Sequence, residues 1–165
     1  MKKQFIFLHF ILFLSIAAGA QAPQVIAKGT TALIPSTLAW MDADRQTLGS
    51  GRGDATLRFS MGGETVTDND IPAYTDERIQ LAKQQQDSYK YLDDGIFLQD
   101  GKNIGYIKFS SKEKGKKFFN YQFFISSQEK PLLFIFRSPM QQRRTWEPII
   151  DEFANSVRVT SPEMP

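Results

Sequence analysis

The chain contains no cysteine, and its single histidine is His9, close to the N-terminus. Without cysteine there are no disulfides, so the stability of the fold must come from packing. If His9 is removed with the leader described below, the rest of the chain lacks both residue types. That excludes Ser-His-Asp and Cys-His catalytic triads, ordinary zinc sites and a histidine pH switch. Enzymes built on carboxylates, lysine or tyrosine stay open, as does a cation site built from oxygen ligands.

Long apolar runs are also scarce, and the clearest one lies at the N-terminus. Lys2 and Lys3 precede an apolar run over residues 5–18, and residues 18–22 offer two small-x-small cleavage sites. The run has roughly 14 residues, short of the roughly 20 that a membrane-spanning helix needs. We therefore predict a signal peptide over residues 1–20, with residue 22 as the alternative end. The mature protein is then periplasmic or secreted and has no integral membrane segment; an uncleaved anchor is the alternative.

The chain lacks a strong net charge of either sign. It has 20 basic and 18 acidic residues, and without Lys2 and Lys3 the counts are equal, 18 against 18. A neutral protein is not expected to be a general nucleic-acid binder. Residues 42–77 nevertheless carry eight acids and three bases, and residues 101–144 carry ten bases and two acids. This division indicates either two solvated faces or a bipolar surface that docks a protein partner.

About 140 residues remain after the leader, which predicts one domain, placed over residues 31–160. Apolar and polar residues alternate over 55–60, as in a half-buried strand. Turn residues divide the later chain into short antiparallel strands. Those strands are predicted over 88–92, 96–99, 103–110, 116–126 and 131–137, with turns at Asp93-Asp94-Gly95 and Asp100-Gly101. The polar, glycine-rich residues 42–54 are predicted to form a mobile loop.

Two helices complete the pattern. The first is predicted over residues 75–86 with Thr75 as its N-cap. The second is predicted to begin at Thr145 and carries apolar residues at helical spacing: Trp146, Ile149, Ile150, Phe153 and Val157. Residues 131–136 are apolar on both faces of their strand, so both faces of the sheet must be covered. The predicted fold class is α+β, an antiparallel β-sheet covered by helices on its faces, with a short strand within 156–160.

Several segments resemble PsbP-like and DcrB-like domains. They are Ile34-Pro35, Phe136-Arg137-Ser138-Pro139, Trp146-Glu147-Pro148 and Phe153-Ala154-Asn155-Ser156-Val157. The resemblance extends over roughly residues 31–160, and its motifs are core and turn positions. It implies an α/β/α sandwich and a binding, assembly or accessory role, because such domains are mostly not enzymes.

Three short motifs have plain structural explanations. Arg52-Gly53-Asp54 has the spelling of an integrin-binding triplet, but its glycine suits a loop. Asp68-Asn69-Asp70 begins like a calcium loop but lacks the later glycine and glutamate, so a turn that leads into a helix is predicted. Asp93-Asp94 could form an acid–base pair, but the following Gly95 favours a turn. We predict no catalytic, cofactor-binding or metal-binding residue, and no cofactor.

The candidate contact site consists of Lys112, Lys114, Lys116 and Lys117, at a strand connection with only Glu113 opposing them. Clustered lysines followed by aromatics can bind single-stranded nucleic acid, an anionic membrane or an acidic protein. They can also protect a strand from edge-to-edge aggregation. For an exported, neutral protein we expect a protein partner and no nucleic acid.

The predicted function is that of an exported, non-enzymatic accessory protein that binds or assembles an envelope or secreted component. The alternative is a periplasmic small-ligand-binding module, which would need a pocket of about 300 Å³ or more with a few inward polar groups. An enzyme based on carboxylate, tyrosine or lysine is a third hypothesis. It would gain support if Tyr106, Lys108, Tyr121 or Arg137 met in a cleft with an acidic residue.

Overall fold

A computed structural model describes residues 22–160, so the predicted signal peptide over 1–20 lies outside the described residues. The strands are β1 (Gln24–Ala27), β2 (Thr30–Ala32), β3 (Leu38–Trp40), β4 (Thr47–Ser50), β5 (Thr56–Met61), β6 (Lys90–Gln99), β7 (Lys102–Glu113), β8 (Lys116–Ser127), β9 (Lys130–Pro139) and β10 (Arg158–Val159). The helices are α1 (Ile71–Gln85) and α2 (Arg143–Ser156), each preceded by a 3₁₀ turn, Asp68–Asp70 and Met140–Gln142.

Seven strands form an antiparallel sheet in the order β3-β4-β5-β9-β8-β7-β6. A smaller antiparallel sheet has the order β1-β2-β10. The predicted fold class, α+β with helices on the faces of an antiparallel sheet, is confirmed. The small second sheet was not predicted, because its strands have only two to four residues and their pairing joins the two ends of the domain.

The face of the large sheet that α2 covers holds the main core. Strands β8 and β9 contribute alternate aromatic side chains, and the rings of Phe123 and Phe134 stack with their centroids 4.4 Å apart. Phe153 of α2 meets both rings at 5.9 and 5.8 Å. Trp146 of α2 is 6% exposed and lies 5.7 Å from the ring of Phe136. The predicted apolar stripe of this helix is therefore its buried face.

The opposite face is covered by α1 over a smaller core. Ile71 and Tyr74 of α1 pack with Ile107, Phe109, Phe124 and Leu133 of the sheet. The helix comes close to the sheet at Gly105 of β7, where a Cβ would collide with Thr75 Oγ1 and the Phe124 ring. Only glycine fits where the helix comes this near to the strand.

Both helices begin earlier than predicted. Thr75 is not an N-cap: it lies inside α1, is buried, and donates its hydroxyl to the carbonyl oxygen of Ile71 at 2.8 Å. The helix begins instead after Asp70, whose carboxylate accepts the N–H of Thr67 at 2.9 Å. Pro72 then occupies the first turn, where its missing N–H costs nothing. Helix α2 likewise begins at Arg143 rather than Thr145.

Two segments predicted as turn or loop contain strand. Asp93-Asp94-Gly95 is not a turn; it lies inside the continuous strand β6, which pairs with β7 on both sides of a bulge at Leu92. The predicted loop over 42–54 contains β4, which pairs with β3 and β5. In both places a ladder of backbone hydrogen bonds with neighbouring strands outweighs the local turn preference of Asp and Gly.

Candidate functional site

A group of charged and phenolic side chains lies beneath α2. We call it the Lys108 cluster, made of Asp93, Tyr106, Lys108, Tyr121, Glu147 and Asp151. The lysine comes from β7 and is only 7% exposed. Its Nζ lies 3.0 Å from Glu147 Oε1 and 3.0 Å from Asp151 Oδ1. The two acids are one helical turn apart, so α2 presents both of them to the sheet.

Aromatic rings complete the surroundings of the lysine. Its Nζ lies 4.5 Å from the ring centroid of Tyr121 and 5.4 Å from that of Tyr106, within cation–π range. The hydroxyl of Tyr106 donates to Asp93 Oδ2 at 3.3 Å. At the other side of the cluster, Arg143 Nε donates to Glu147 Oε2 at 2.7 Å. A buried lysine is therefore matched by two acids and two electron-rich rings.

The titration behaviour follows from this burial. Burial raises the pKa of Tyr121 strongly, and the charge of Asp151 raises it further. Burial also raises the pKa of Tyr106, with Asp93 as the next cause. Burial alone would raise the pKa of Glu147, but hydrogen bonds from Arg143 and Lys108 outweigh it and hold that pKa below its ordinary value. Both phenols are therefore neutral and Glu147 is ionised at neutral pH.

The structure thus brings together three of the four residues named for the enzyme hypothesis. Tyr106, Lys108 and Tyr121 meet with acids, but Lys108 and Tyr121 are buried, and Arg137 lies elsewhere. Its Nη2 is 2.5 Å from Glu113 Oε2, and its guanidinium lies 3.8 Å from the ring centroid of Phe118. The sequence did hold a signal for the cluster: a lysine on the core face of a strand, and two acids at helical spacing.

The four lysines of the candidate contact site lie at the tip of the β7–β8 hairpin, which we call the basic hairpin. All four are exposed, and within residues 22–160 none of them forms an ion pair. Lys114 and Gly115 have φ of 48° and 78°, which makes a tight two-residue turn. Glu113, the one acid in the segment, is bound by Arg137.

The surroundings of the basic hairpin do not fit the edge-protection interpretation. Strands β7 and β8 lie inside the sheet, between β6 and β9, so their lysines do not line an outer edge. A concave space of 530 Å³ lies beside the hairpin instead. It is bordered by Lys112, Gly115, Lys116, Lys117, Phe118, Pro139 and Gln141.

A second concave space of 510 Å³ lies between α2 and the Ser50–Ala55 turn. Its lining is Thr37, Ser50, Gly51, Arg52, Asp54, Gln142, Thr145, Trp146 and Ile149. The space exceeds the volume set for a small-ligand pocket and combines an apolar floor with a few polar groups. Asp54 accepts the hydroxyl of Ser50 at 2.5 Å and thereby holds its own loop, which is the loop role predicted for the Arg52-Gly53-Asp54 triplet.

The acidic motif at residues 68–70 also has structural partners. Asp68 accepts the backbone N–H of Asn103 at 2.8 Å, and Asp70 accepts the N–H of Thr67. This agrees with the predicted turn that leads into a helix. Among residues 22–160, no three or more acidic side chains are grouped so that they could hold a metal ion. Over the same residues, neither helix is long and apolar enough to cross a membrane.

No protein-family model matches the chain, and no curated protein is similar enough to count as a match. Solved structures do match. Cyanobacterial PsbP (CyanoP) of Synechocystis sp. PCC 6803 is 13% identical with a TM-score of 0.59, over 87% of this chain and 95% of that chain. LpqN, involved in cell envelope biogenesis of Mycobacterium tuberculosis, is 11% identical with a TM-score of 0.56, over 88% of each chain.

A third solved structure is the Ran-binding protein Mog1p of Saccharomyces cerevisiae. It is 8% identical with a TM-score of 0.53, over 86% of this chain and 97% of that chain. The predicted resemblance to PsbP-like and DcrB-like domains is thus confirmed as a likeness of fold. At these identities the likeness concerns the fold alone.

Proposed function

We propose that this protein is an exported, non-enzymatic accessory protein that binds or helps to assemble an envelope or secreted component, with the basic hairpin as its contact surface. The observation that carries the proposal is the position of Lys112, Lys114, Lys116 and Lys117. They are exposed and free of ion pairs within residues 22–160, at a tip supported by two long interior strands. Such a patch speeds the encounter with an acidic partner.

The rigidity of the tip supports a binding role. Strands β7 and β8 pair without a register shift from Ile104↔Ile125 to Glu113↔Lys116. The lysine backbone positions are therefore set before a partner arrives, and less order has to be imposed on binding. Arg137 neutralises Glu113, so the positive field of the tip is not weakened by its only local acid.

The non-enzymatic part of the proposal is supported by the state of the reactive side chains. Lys108 and Tyr121 are 7% and 2% exposed, and Lys108 is held between two acids. Both side chains are therefore largely inaccessible to a substrate. Among the structural neighbours, LpqN is named for envelope biogenesis and Mog1p for binding Ran, and these named roles are compatible with an accessory protein.

The test uses the mature chain, beginning at residue 23, as immobilised bait in an extract of its own cell envelope. In one variant the four hairpin lysines become glutamate. A matched control changes four exposed lysines elsewhere, Lys28, Lys83, Lys90 and Lys130, and so alters net charge equally. We expect the hairpin variant to recover at least about tenfold less partner at low salt, while the control recovers the normal amount.

Thermal melting of all three proteins checks that folding is unchanged. Recovery by the wild type should also decline as salt rises, because exposed charges are screened beyond about 10 Å at 0.1 M. Equal recovery by the hairpin variant at every salt concentration would contradict the proposal.

Export is tested separately by intact-mass spectrometry of the protein from the exported fraction. We expect a mature N-terminus at Gln21 or Pro23, because both follow a small-x-small site. A mass that still includes residues 5–18 would show that the leader is retained as an anchor.

The 510 Å³ space beside α2 favours a second candidate function, a small-ligand-binding module. Trp146 borders that space, whereas the other tryptophan, Trp40, does not. In a Trp40→Phe variant the emission of Trp146 reports on the space alone. Periplasmic metabolite extracts that shift this emission would favour the second function; no shift at millimolar ligand would count against it.

A further inference from the structure

Strand β6 ends the large sheet, and no strand of residues 22–160 pairs with its outer side. It has ten residues, whereas β3 at the opposite edge has three. A long, open edge strand is a template for pairing with another chain unless something protects it. The two edges of the sheet are therefore very different as surfaces.

The side chains of β6 are unusually apolar for an exposed edge. Tyr91, Ile96 and Leu98 are 51%, 43% and 69% exposed. Seven large apolar side chains of the described residues are exposed, and three of them lie on this one strand. Exposed apolar residues that cluster in this way mark an interaction site more often than scattered ones do.

The direction of the backbone groups follows from the neighbouring strand. The N–H of Lys112 in β7 donates to the carbonyl of Asp87 at 2.9 Å, so it points away from β8. Backbone N–H and C=O groups alternate in direction along a strand. Those of Lys108, Tyr106 and Ile104 therefore also point toward β6. Their partners on β6 are Asp93, Gly95 and Phe97. The residues between, Asp94, Ile96 and Leu98, therefore present their N–H and C=O groups outward.

The charge of this edge indicates what it pairs with. Asp93 lies on the α2 side, where it accepts from Tyr106. Asp94 lies on the other side, in line with Ile96 and Leu98, and has no salt bridge within residues 22–160. In an antiparallel pair of two copies centred on Ile96, each Asp94 would lie opposite Leu98 of the other copy, so its carboxylate would have no cation opposite it. A segment with a cation at that position would be favoured instead.

We propose that the outer edge of β6, over residues 93–99, is a strand-addition site for an extended segment of a protein partner. That segment has a lysine or arginine opposite Asp94 and apolar side chains opposite Ile96 and Leu98. The bulge at Leu92 ends the regular ladder and so sets the limit of the site. Backbone hydrogen bonds supply affinity and alternate side chains supply specificity. The site is separate from the basic hairpin and does not depend on it.

The probe is a blocked synthetic peptide, Thr-Val-Thr-Val-Thr-Lys-Thr, which places its two valines opposite Leu98 and Ile96 and its lysine opposite Asp94 in an antiparallel pair. Binding is followed by amide chemical shifts and hydrogen exchange. We expect saturable binding with slower exchange of the Asp94, Ile96 and Leu98 amides. Shifts spread over the surface without protection of these amides would overturn the proposal.

Two control peptides separate strand addition from simple adhesion. One has N-methyl groups on the valines and the lysine, which removes the donors that face β6. It should bind about tenfold more weakly or worse, because about three hydrogen bonds are lost. The other has glutamate in place of lysine and should bind up to about fivefold more weakly. Equal binding of the N-methylated peptide would overturn the proposal.

Variants of the protein test whether the peptide binds at β6. Asp94→Lys should reverse the preference between the lysine and glutamate peptides. Leu98→Lys should weaken binding, while Val25→Lys, at a residue of similar exposure (66%) on β1, should not. If the β6 amides instead become protected without peptide as protein concentration rises, the occupant is a second copy of the chain and the proposal is wrong.

Discussion

The two faces of the seven-stranded sheet are covered in different ways. On the α2 face, large aromatic rings from β8, β9 and α2 interlock, with Phe123, Phe134 and Phe153 at the centre. On the α1 face a smaller core lies beneath a mostly polar helix, which comes close to the sheet at Gly105. Helix α2 is held to the sheet by the large apolar volume that it buries, and α1 by its close approach to β7 at Gly105. The two faces should therefore respond to opposite kinds of substitution, loss of volume on one and gain of volume on the other.

The largest effect is expected from removing volume on the α2 face. Trp146→Ala deletes a side chain that is 6% exposed and packs on Phe136. It should lower the free energy of unfolding by about 3–5 kcal/mol, because lost transfer energy and a new cavity add together. Urea unfolding measures the change. A loss under about 1 kcal/mol would mean that α2 closes over the gap without penalty.

Adding volume on the α1 face should have the next largest effect. Gly105→Ala introduces a methyl group that collides with Thr75 Oγ1 and the Phe124 ring, so α1 must move outward. We expect a loss of about 1–3 kcal/mol by urea unfolding. The matched control is Gly51→Ala, which meets nothing within 4 Å and should be close to neutral. Equal stability of the two variants would show that α1 packs loosely.

The Lys108 cluster is a polar exception on the α2 face, and removing its lysine should cost less than the loss of Trp146. Lys108→Met keeps the apolar stem but leaves Glu147 and Asp151 without their cation. Because the side chain of Asp151 is 40% exposed and keeps access to water, we expect a loss of about 1–2 kcal/mol. A more stable variant would show that the cost of burying the lysine exceeds the gain from its ion pairs.

The pH dependence of stability sharpens the same comparison. Folding lowers the pKa of Glu147 below 4.5, so its contribution is fully present above pH 4.5 and is lost as pH falls through the lower folded value. As pH falls below about 4.5, wild-type stability should therefore fall more steeply than that of Lys108→Met. Parallel pH curves for the two proteins would mean that Lys108 does not lower this pKa.

Residues of the strands were the most predictable part of the fold, because alternation depends only on neighbours in the chain. Leu57 and Phe59 are apolar residues of the alternation predicted over 55–60, and both are buried on β5. The helix starts were less predictable, since several residues near each start could serve as caps. Thr75 was the better cap by its surroundings in sequence, but it was required inside the helix, against Gly105.

The candidate sites also differ in how far they could be predicted from residues that are neighbours in the sequence. The basic hairpin could be identified from the sequence because four lysines lie within six residues and point to one turn. For the Lys108 cluster, the sequence could name residues whose meeting would be informative, but it could not show that they meet. Its members come from four separate elements: β6, β7, β8 and α2. The open edge of β6 was hidden entirely, since Asp93-Asp94-Gly95 is typical of a turn and only the ladder with β7 makes it strand.

The sequence by itself determined that both faces of an antiparallel sheet are covered and that one helix buries an apolar stripe. Hydrophobic periodicity carries that information because it reflects which side of each element meets water. Only the tertiary structure decided which strand ends the sheet, which lysine is buried and which four are exposed. Those properties depend on the order of strands in space, β3-β4-β5-β9-β8-β7-β6, and strand order arises from contacts between residues far apart in the chain.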